Sequence, residues 1–178
     1  MTKGDELIQR FARLQVWKRN GERAPHKPLL VLLALGRLEQ GHDRLLAFND
    51  LEKDLARLLT DFGPPRASVH PEYPFWRLQR DGVWEVSSPI VLTSRRGSTD
   101  PLKSQLLVHC VKGGFAEETF LILKKHPEIR RALARHILLA HFPDSLHSAI
   151  AAAVGMDLEA IGRERKRDAR FRNSLKFV

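Results

Sequence analysis

Two short, proline-flanked segments carry the residue types that are suited to binding an anion. The first runs from Arg23 to Pro28 and holds an arginine, a histidine and a lysine directly before an apolar run. Pro28 is favoured at the first position of a helix, so these cations lie at a predicted helix N-terminus. There they oppose the helix dipole by about 0.3–1 kcal/mol each, unless free backbone N–H groups bind an anion beside them. Two interpretations stay open, an anion site and a solvated turn.

The second segment runs from Ser68 to Arg77 and surrounds Tyr73, which is the only tyrosine of the chain. Its prolines restrict the loop before binding, so little conformational entropy is lost when a ligand binds. Phe75 is expected in the core, whereas Trp76 suits the core and base stacking equally. The two segments together predict a binding surface.

No catalytic or metal-binding motif is recognisable in the sequence. The eight histidines lack an HExxH spacing, and the single cysteine, Cys110, excludes disulfides and zinc sites built on cysteine pairs. GxSxG, Walker and GxGxxG motifs are absent. Cys110 lies in an apolar stretch and is predicted to be a buried hydrophobic residue. We therefore expect no metal, no cofactor and no enzymatic activity.

The charge balance indicates the class of partner. Thirty lysines and arginines against twenty-one acidic residues give the 178-residue chain a net charge of +9. This excess favours a polyanion, with nucleic acid first and an anionic membrane second. The longest apolar stretch, Leu29 to Leu35, is too short to span a bilayer, and no signal peptide is recognisable. We expect a soluble, cytoplasmic protein.

Hydrophobic periodicity predicts a mainly α fold of the α+β class. The predicted helices cover about residues 3–19, 28–40, 50–62, 103–111, 117–125, 127–141, 145–154 and 157–165. Asn49 or Asp50 is expected to cap the third of these helices. Gly113-Gly114 is expected to end the fourth helix.

A small β-hairpin is predicted between the helices. Residues 45–48 suit a short strand, and residues 75–79 and 83–86 alternate as two strands would. Arg80-Asp81-Gly82 between the last two is a hairpin turn signal. Helix, strand, helix and hairpin in this order are typical of a winged-helix core, a fold of the kind that places a helix and a β-wing on DNA.

Longer motifs in these segments resemble a known family. They are Ala24-Pro25-His26-Lys27-Pro28-Leu29-Leu30, His70-Pro71-Glu72-Tyr73-Pro74-Phe75-Trp76-Arg77-Leu78 and Asp81-Gly82-Val83-Trp84. Together they look like the sulfur-binding domain of McrA-type, modification-dependent (type IV) restriction endonucleases, over about Gly21 to Phe142. The resemblance implies a non-catalytic reader of double-stranded DNA with a backbone phosphorothioate. It makes residues 1–160 the binding domain.

The basic C-terminal segment resembles a connection found in many relatives. Residues 167–172 are similar to the lead-in to an HNH nuclease domain, so residues 161–178 are interpreted as a basic tail or linker. The cysteines and histidines of such a nuclease are absent from this chain. An HNH domain acting in cis or in trans is therefore the second implied partner, beside the DNA.

The resemblance also implies which residues bind. The sulfur would lie in a shallow apolar cavity lined by Pro25, His26, Lys27, Tyr73 and Pro74. Just beyond the Tyr-Pro pair, where the family has a small residue, this chain has Trp76 and Arg77. The residues assigned to DNA contact are Arg23, Arg66, Ser68, His70, Trp76, Arg77, Arg80, Arg95, Arg96 and Lys103. Arg77 and Arg96 are favoured as base readers, because arginine binds guanine in a bidentate manner. A phosphate contact and a solvated side chain stay open as alternatives for each of these arginines.

Physical chemistry makes such a cavity selective. Sulfur is larger, softer and less hydrated than a phosphate oxygen, which would lose about 1–3 kcal/mol of hydration in an apolar hollow. That difference corresponds to a selectivity on the order of 5- to 150-fold.

Three alternative functions are a winged-helix regulator that ignores the backbone chemistry, a nuclease with an unrecognised active site, and a protein–protein adaptor.

Overall fold

The computed structural model describes residues 1–16, 18–19, 22–157 and 159, with the backbone only at 18–19 and 22–23. The predicted tail, 161–178, and nearly all of the helix predicted for 157–165 lie outside these residues. The described helices are α1 (Lys3–Ala12), α2 (His26–Glu39), α3 (Phe48–Phe62), α4 (Glu72–Arg77), a 3-10 helix (Leu78–Asp81), α5 (Lys103–Val108), α6 (Glu117–Lys125), α7 (Pro127–His141) and α8 (Asp144–Val154). The described strands are β1 (Lys18–Arg19), β2 (Glu22–Arg23), β3 (Leu46–Ala47), β4 (Trp84–Ser87) and β5 (Lys112–Phe115). The predicted mainly α fold of the α+β class is confirmed.

Helix α2 forms the centre of the core because it is apolar on almost every face. Residues 29–33 are at most 1% exposed, and α2 contacts α3, α4, α7 and α8. The helix begins at His26, two residues before the predicted start. Pro28 is thus its third residue, where a backbone N–H would still have had no partner within the helix. The predicted burial of this helix is confirmed.

Strands β3, β4 and β5 form an antiparallel sheet in the order β3-β5-β4. The order α2-β3-α3-α4-β4-β5, with the last strand in the middle, is that of a winged helix with residues 88–111 in the place of the wing. Gly113-Gly114 lies inside β5, and the prediction that it ends a helix is wrong. A Cβ at Gly114 would lie 1.8 Å from the Arg44 carbonyl oxygen, so the neighbouring backbone requires glycine there.

The predicted hairpin at 75–86 is wrong in its first half. Residues 72–77 form α4 and residues 78–81 the 3-10 helix, and only the second half forms a strand, β4. Phe75 and Leu78 are fully buried, and their spacing of three places them on one helical face. Gly82 has a φ of 73°, so the expected hairpin turn is the left-handed end of a helix.

Helix α1 is shorter than predicted, ending at Ala12 instead of Arg19. The chain leaves the helix because the N–H of Gln15 donates to the Asp81 carboxylate at 2.7 Å. Beyond it, β1 pairs with β2 in an antiparallel register. A tertiary hydrogen bond and a two-residue ladder therefore replace the last two predicted turns of helix.

Two local predictions around α3 and α5 are also wrong. Helix α3 begins at Phe48, because the Phe48 N–H donates to the Val111 carbonyl at 2.8 Å and the Asn49 side chain donates to Leu107. Neither Asn49 nor Asp50 is the cap. Cys110 is exposed, with a φ of 46°, because the turn after α5 buries Val111 in its place.

The C-terminal helices follow the predicted periodicity closely. The observed bounds of α6 and α7 are those predicted, and α8 begins one residue earlier. Among the described residues, no helix combines the length and hydropathy that a membrane crossing requires. These helices close the core around α2.

Gly36 lies where α2 crosses α8, and a Cβ there would be 1.8 Å from the Val154 carbonyl oxygen. Gly36→Ala is therefore expected to force the helices apart and lower the free energy of unfolding by about 1–3 kcal/mol. Urea unfolding measures this loss. The control is Ser148→Ala on the exposed face of α8, for which a change below about 0.5 kcal/mol is expected. Equal stability of both variants would contradict the close crossing.

Candidate nucleic-acid interface

Tyr73 is the centre of the candidate interface, on α4 and half-buried. The His70 ring stacks on it with a centroid distance of 4.7 Å and an interplanar angle of 16°. The Arg77 guanidinium lies 4.4 Å from the ring centroid and that of Arg95 5.1 Å from it. Arg95 also donates a hydrogen bond to the tyrosine hydroxyl. The ring is thus held among one imidazole and two cations, an arrangement that favours cation–π attraction.

A hydrogen-bonded series fixes the His70 ring from the loop before α4. Nδ1 of His70 lies 3.1 Å from the Glu72 carboxylate, and Nε2 lies 3.3 Å from the Ser68 hydroxyl. Glu72 is 6% exposed, and its second oxygen has no hydrogen-bond partner among the described residues. A buried carboxylate therefore orients the imidazole that stacks on Tyr73.

The start of α2 faces this loop. Burial lowers the pKa of His26, and the positive charges of Arg66 and Arg77, followed by that of His70, lower it further. Helix α2 also packs against α4, and the charges that lower the pKa of His26 belong to residues 66–77, so the two predicted segments lie near each other. His26 is neutral at neutral pH and can offer an uncharged N–H donor.

The other residues assigned to the sulfur cavity differ in exposure. Pro25 and Pro74 are buried, and the Pro25 carbonyl accepts the Leu29 N–H at 2.9 Å. Lys27 is 12% exposed in its side chain and bonds to Asp81 at 2.6 Å. The two prolines are therefore less accessible than the half-buried His26 and Tyr73, and the Lys27 ammonium already has a carboxylate partner.

A second buried carboxylate, Asp100, holds two of the arginines assigned to DNA contact. Nε and Nη2 of Arg77 donate to one of its oxygens at 2.8 and 2.6 Å. Arg80 lies 3.8 Å from the other oxygen and donates to Thr99 at 3.1 Å. Asp100 is 2% exposed. Both guanidinium groups are thus anchored from beneath while part of each faces solvent.

The remaining assigned residues spread over the same face or beyond it. Arg66 and Arg96 are exposed and form no ion pair with a described residue, so they are the most available for phosphate. Lys103 pairs with Glu52. Arg23 lies in β2, and its side chain is outside the described part of the chain.

An apolar cavity of about 280 Å³ adjoins the arginine cluster. It is lined by Trp76, Val86, Ser88, Ile90, Val91, Leu92, Ser94, Thr99 and Pro101. Trp76 is half-buried, so it both packs against the core and lines this cavity. The interpretation of Trp76 as a core residue thus describes part of its surroundings, and base stacking stays a prediction.

The arrangement is suited to binding an anion. Cationic and aromatic side chains lie close together at Tyr73, and the Arg77 and Arg80 side chains are partly exposed. No cluster of three or more His, Cys, Asp or Glu side chains suited to a metal occurs within the described ranges.

The carboxylates that organise this surface are not recognisable as such in the sequence. Asp81 is part of a turn signal, Glu72 is part of a family motif without a role of its own, and no motif includes Asp100. Each lies beside a proline or a glycine in the sequence, which is a turn signal and gives no indication of an ion pair.

The lowered pKa of His26 predicts its titration. NMR should place that pKa below the usual value of about 6.5, and Arg66→Ala should raise it. Arg57→Ala, an exposed arginine on α3, should leave it unchanged. Because the folded state favours neutral His26, its contribution to stability is present above about pH 6.5 and is lost as the pH falls below it. A pKa at or above the usual value would contradict the described surroundings.

Comparison with known proteins agrees with this architecture. Residues 4–159 match the family model described as the ScoMcrA-like DNA sulfur-binding domain. The sulfur-binding domain of ScoMcrA, solved in complex with phosphorothioated DNA, is 25% identical with a TM-score of 0.74, covering 86% of this chain and 96% of that one. The corresponding domain of SprMcrA, also complexed with phosphorothioated DNA, is 21% identical with a TM-score of 0.72, covering 87% and 95%.

A longer solved structure places this fold within an enzyme. The type IV phosphorothioation-dependent restriction endonuclease ScoMcrA is 24% identical with a TM-score of 0.72, over 83% of this chain and 32% of that one. The chain thus spans about a third of that enzyme's length. No curated protein matches the chain. Because the matched residues make up most of its length, the chain belongs to the ScoMcrA-like DNA sulfur-binding domain family.

Proposed function

We propose that this chain binds double-stranded DNA carrying a backbone phosphorothioate, and that the modified group lies against Tyr73. The observation that carries the proposal is the partly exposed tyrosine ring among His70, Arg77 and Arg95. The first turn of α2 lies within electrostatic range of this group, because the charges of Arg77 and His70 lower the pKa of His26. The solved relatives complexed with phosphorothioated DNA support it.

Sulfur and oxygen would be distinguished by hydration and polarisability. A phosphorothioate carries its charge on a large, weakly hydrated sulfur, so little hydration is lost when that atom contacts an aromatic ring. An ordinary phosphate oxygen would lose about 1–3 kcal/mol of hydration at the same contact. The uncharged His26 suits this role, because it offers a donor without attracting every phosphate equally.

The five residues assigned to the cavity would have different roles in binding. Tyr73 and His26 would contact the sulfur, while the buried Pro25 and Pro74 would hold their backbones in place. Lys27, bound to Asp81, would fix the first turn of α2 to the end of the 3-10 helix and add positive charge near the phosphate. We assign these roles from the exposure of each side chain.

Surrounding cations would attract the rest of the duplex. Arg66 and Arg96 are the exposed arginines best placed to contact phosphates, with Arg80 and Lys103 more firmly paired. Contacts from Arg23, Ser68, His70, Trp76, Arg77 and Arg95 complete the proposed DNA surface. Such contacts make affinity dependent on salt and carry no preference for sulfur.

We assign the chain a non-catalytic role, directing a restriction system to modified DNA in the cytoplasm. Cleavage would belong to a nuclease domain of the HNH type, acting in cis or in trans. The sheet order β3-β5-β4 also fits a winged-helix regulator, which would read bases and ignore the sulfur. The two functions differ in a single measurable quantity, the effect of one sulfur atom.

A gel-shift comparison of two identical duplexes, one with a single backbone sulfur, tests the proposed function. The modified duplex should bind more tightly by roughly 5- to 150-fold, which corresponds to the hydration penalty of the oxygen. Equal affinity for both duplexes would refute sulfur recognition and favour the winged-helix regulator. Incubation with Mg²⁺ or Mn²⁺ serves as a control for cleavage, and both duplexes should stay intact.

Tyr73→Ala and Arg66→Ala should separate sulfur recognition from general DNA binding. Tyr73→Ala removes the aromatic wall, so the ratio of the two affinities should fall toward one while binding of unmodified DNA changes little. Arg66→Ala should weaken both duplexes equally and reduce the slope of log K against log salt by about 1. If Tyr73→Ala kept the preference for sulfur, the modified group would lie elsewhere.

A further inference from the structure

We propose that Asp100 is a positioning residue for sulfur recognition, an inference that rests on the proposed function. Its buried carboxylate and backbone hold two guanidinium groups against Tyr73. Its negative charge also opposes unselective attraction of phosphate. Asp100 would therefore raise selectivity for sulfur while lowering affinity for ordinary DNA.

The side chain of Asp100 fixes Arg77. Two guanidinium nitrogens donate to the same carboxylate oxygen at 2.8 and 2.6 Å, and Asp100 is 2% exposed. The Arg77 side chain remains 42% exposed, and its guanidinium lies 4.4 Å from the Tyr73 ring centroid. A charge-assisted pair of donors restricts a planar guanidinium more than one contact would. The anchor therefore determines where Arg77 meets the ring.

The backbone of Asp100 fixes the segment that carries Arg95. The Arg95 N–H donates to the Asp100 carbonyl at 2.7 Å, and the Asp100 N–H donates to the Ser98 hydroxyl at 3.0 Å. A bridge between Ser94 and Pro101 closes this segment. Arg95 can therefore reach the Tyr73 hydroxyl and lie 5.1 Å from the ring centroid. One residue thus positions two of the three groups around the tyrosine.

Charge gives Asp100 its second effect. The carboxylate lies beneath Arg77 and Arg80, and its second oxygen is 3.8 Å from Arg80 without a hydrogen bond. It reduces the positive potential that those arginines present to any phosphate. If Asp100 had a purely structural role, its loss would lower the affinity for the modified and the unmodified duplex together. Opposite changes in the two affinities identify a positioning role.

The Asp100→Asn variant separates these roles, because it keeps the size of the side chain and removes its charge. The gel-shift ratio between modified and unmodified duplexes should fall about fivefold or more, since Arg77 loses the charged carboxylate that fixes it beside the ring. Affinity for the unmodified duplex should rise roughly two- to fivefold, because one negative charge is gone. An unchanged ratio, or a loss of affinity for the unmodified duplex, would overturn the proposal.

A second variant covers the case in which Asp100→Asn does not fold, as judged by circular dichroism. Arg77→Lys retains the charge opposite Asp100 but lacks the planar fork that bonds twice and stacks. The ratio should fall, because the lysine ammonium is not held in one place against the Tyr73 ring. A retained ratio in Arg77→Lys would equally overturn the proposal.

Glu52→Gln is the matched control. It also removes one negative charge from a paired carboxylate, here the partner of Lys103 rather than of an arginine beside Tyr73. Both duplexes should gain affinity equally, leaving the ratio unchanged. If the parent protein itself showed no preference for sulfur, the proposed function would fail. A preference that survives in Asp100→Asn would refute only the role of Asp100.

Discussion

Buried carboxylates hold the cationic side chains of this protein in place. Asp81 and Asp100 have side chains that are 3% exposed, and each bonds to a cation, Lys27 in one case and Arg77 in the other. A buried charge is tolerated only when it is paired, so each carboxylate requires its partner in one position. This requirement converts long, flexible side chains into fixed parts of a surface. The geometry around Tyr73 depends on it.

The second constraint is the burial of α2. A helix that is apolar on nearly all sides can only lie in the centre of the molecule, with other elements packed around it. Helix α4 packs against it, and the charges of Arg66, Arg77 and His70 then act on His26 at its first turn. The aromatic surface of Tyr73 meets positive charge from Arg77 and Arg95. That combination can favour a soft, weakly hydrated atom on a phosphate group over an oxygen.

Several features of the fold could be predicted because local pattern and tertiary packing agree. Helices α6 and α7 have the predicted bounds, since their apolar spacing, the acidic first turn of α6 and Pro127 at the start of α7 point to one structure. The predicted strand at 75–79 is wrong because alternation over five residues also fits the i, i+3 spacing of Phe75 and Leu78. Two fully buried side chains on one helical face decide between these patterns. The extent of α1 depends on the distant Asp81, which no local pattern reveals.

The candidate site, like the fold, could be predicted only in part. Residue types and family motifs select Tyr73, His26 and the arginines, because such side chains and prolines are recognisable in sequence. Which cation is free and which is paired depends on contacts between residues far apart in the chain, such as Lys27 with Asp81 and Arg77 with Asp100.

The sequence by itself determined a basic, mainly helical chain with one central apolar helix and two proline-containing segments that combine histidine with cationic residues. These properties follow from composition and periodicity, which are local. Only the tertiary structure decided that His26 is neutral, that Arg95 reaches Tyr73 and that a carboxylate lies beneath Arg77. Burial and ion pairing depend on which distant residues meet, and that is settled only when the chain packs.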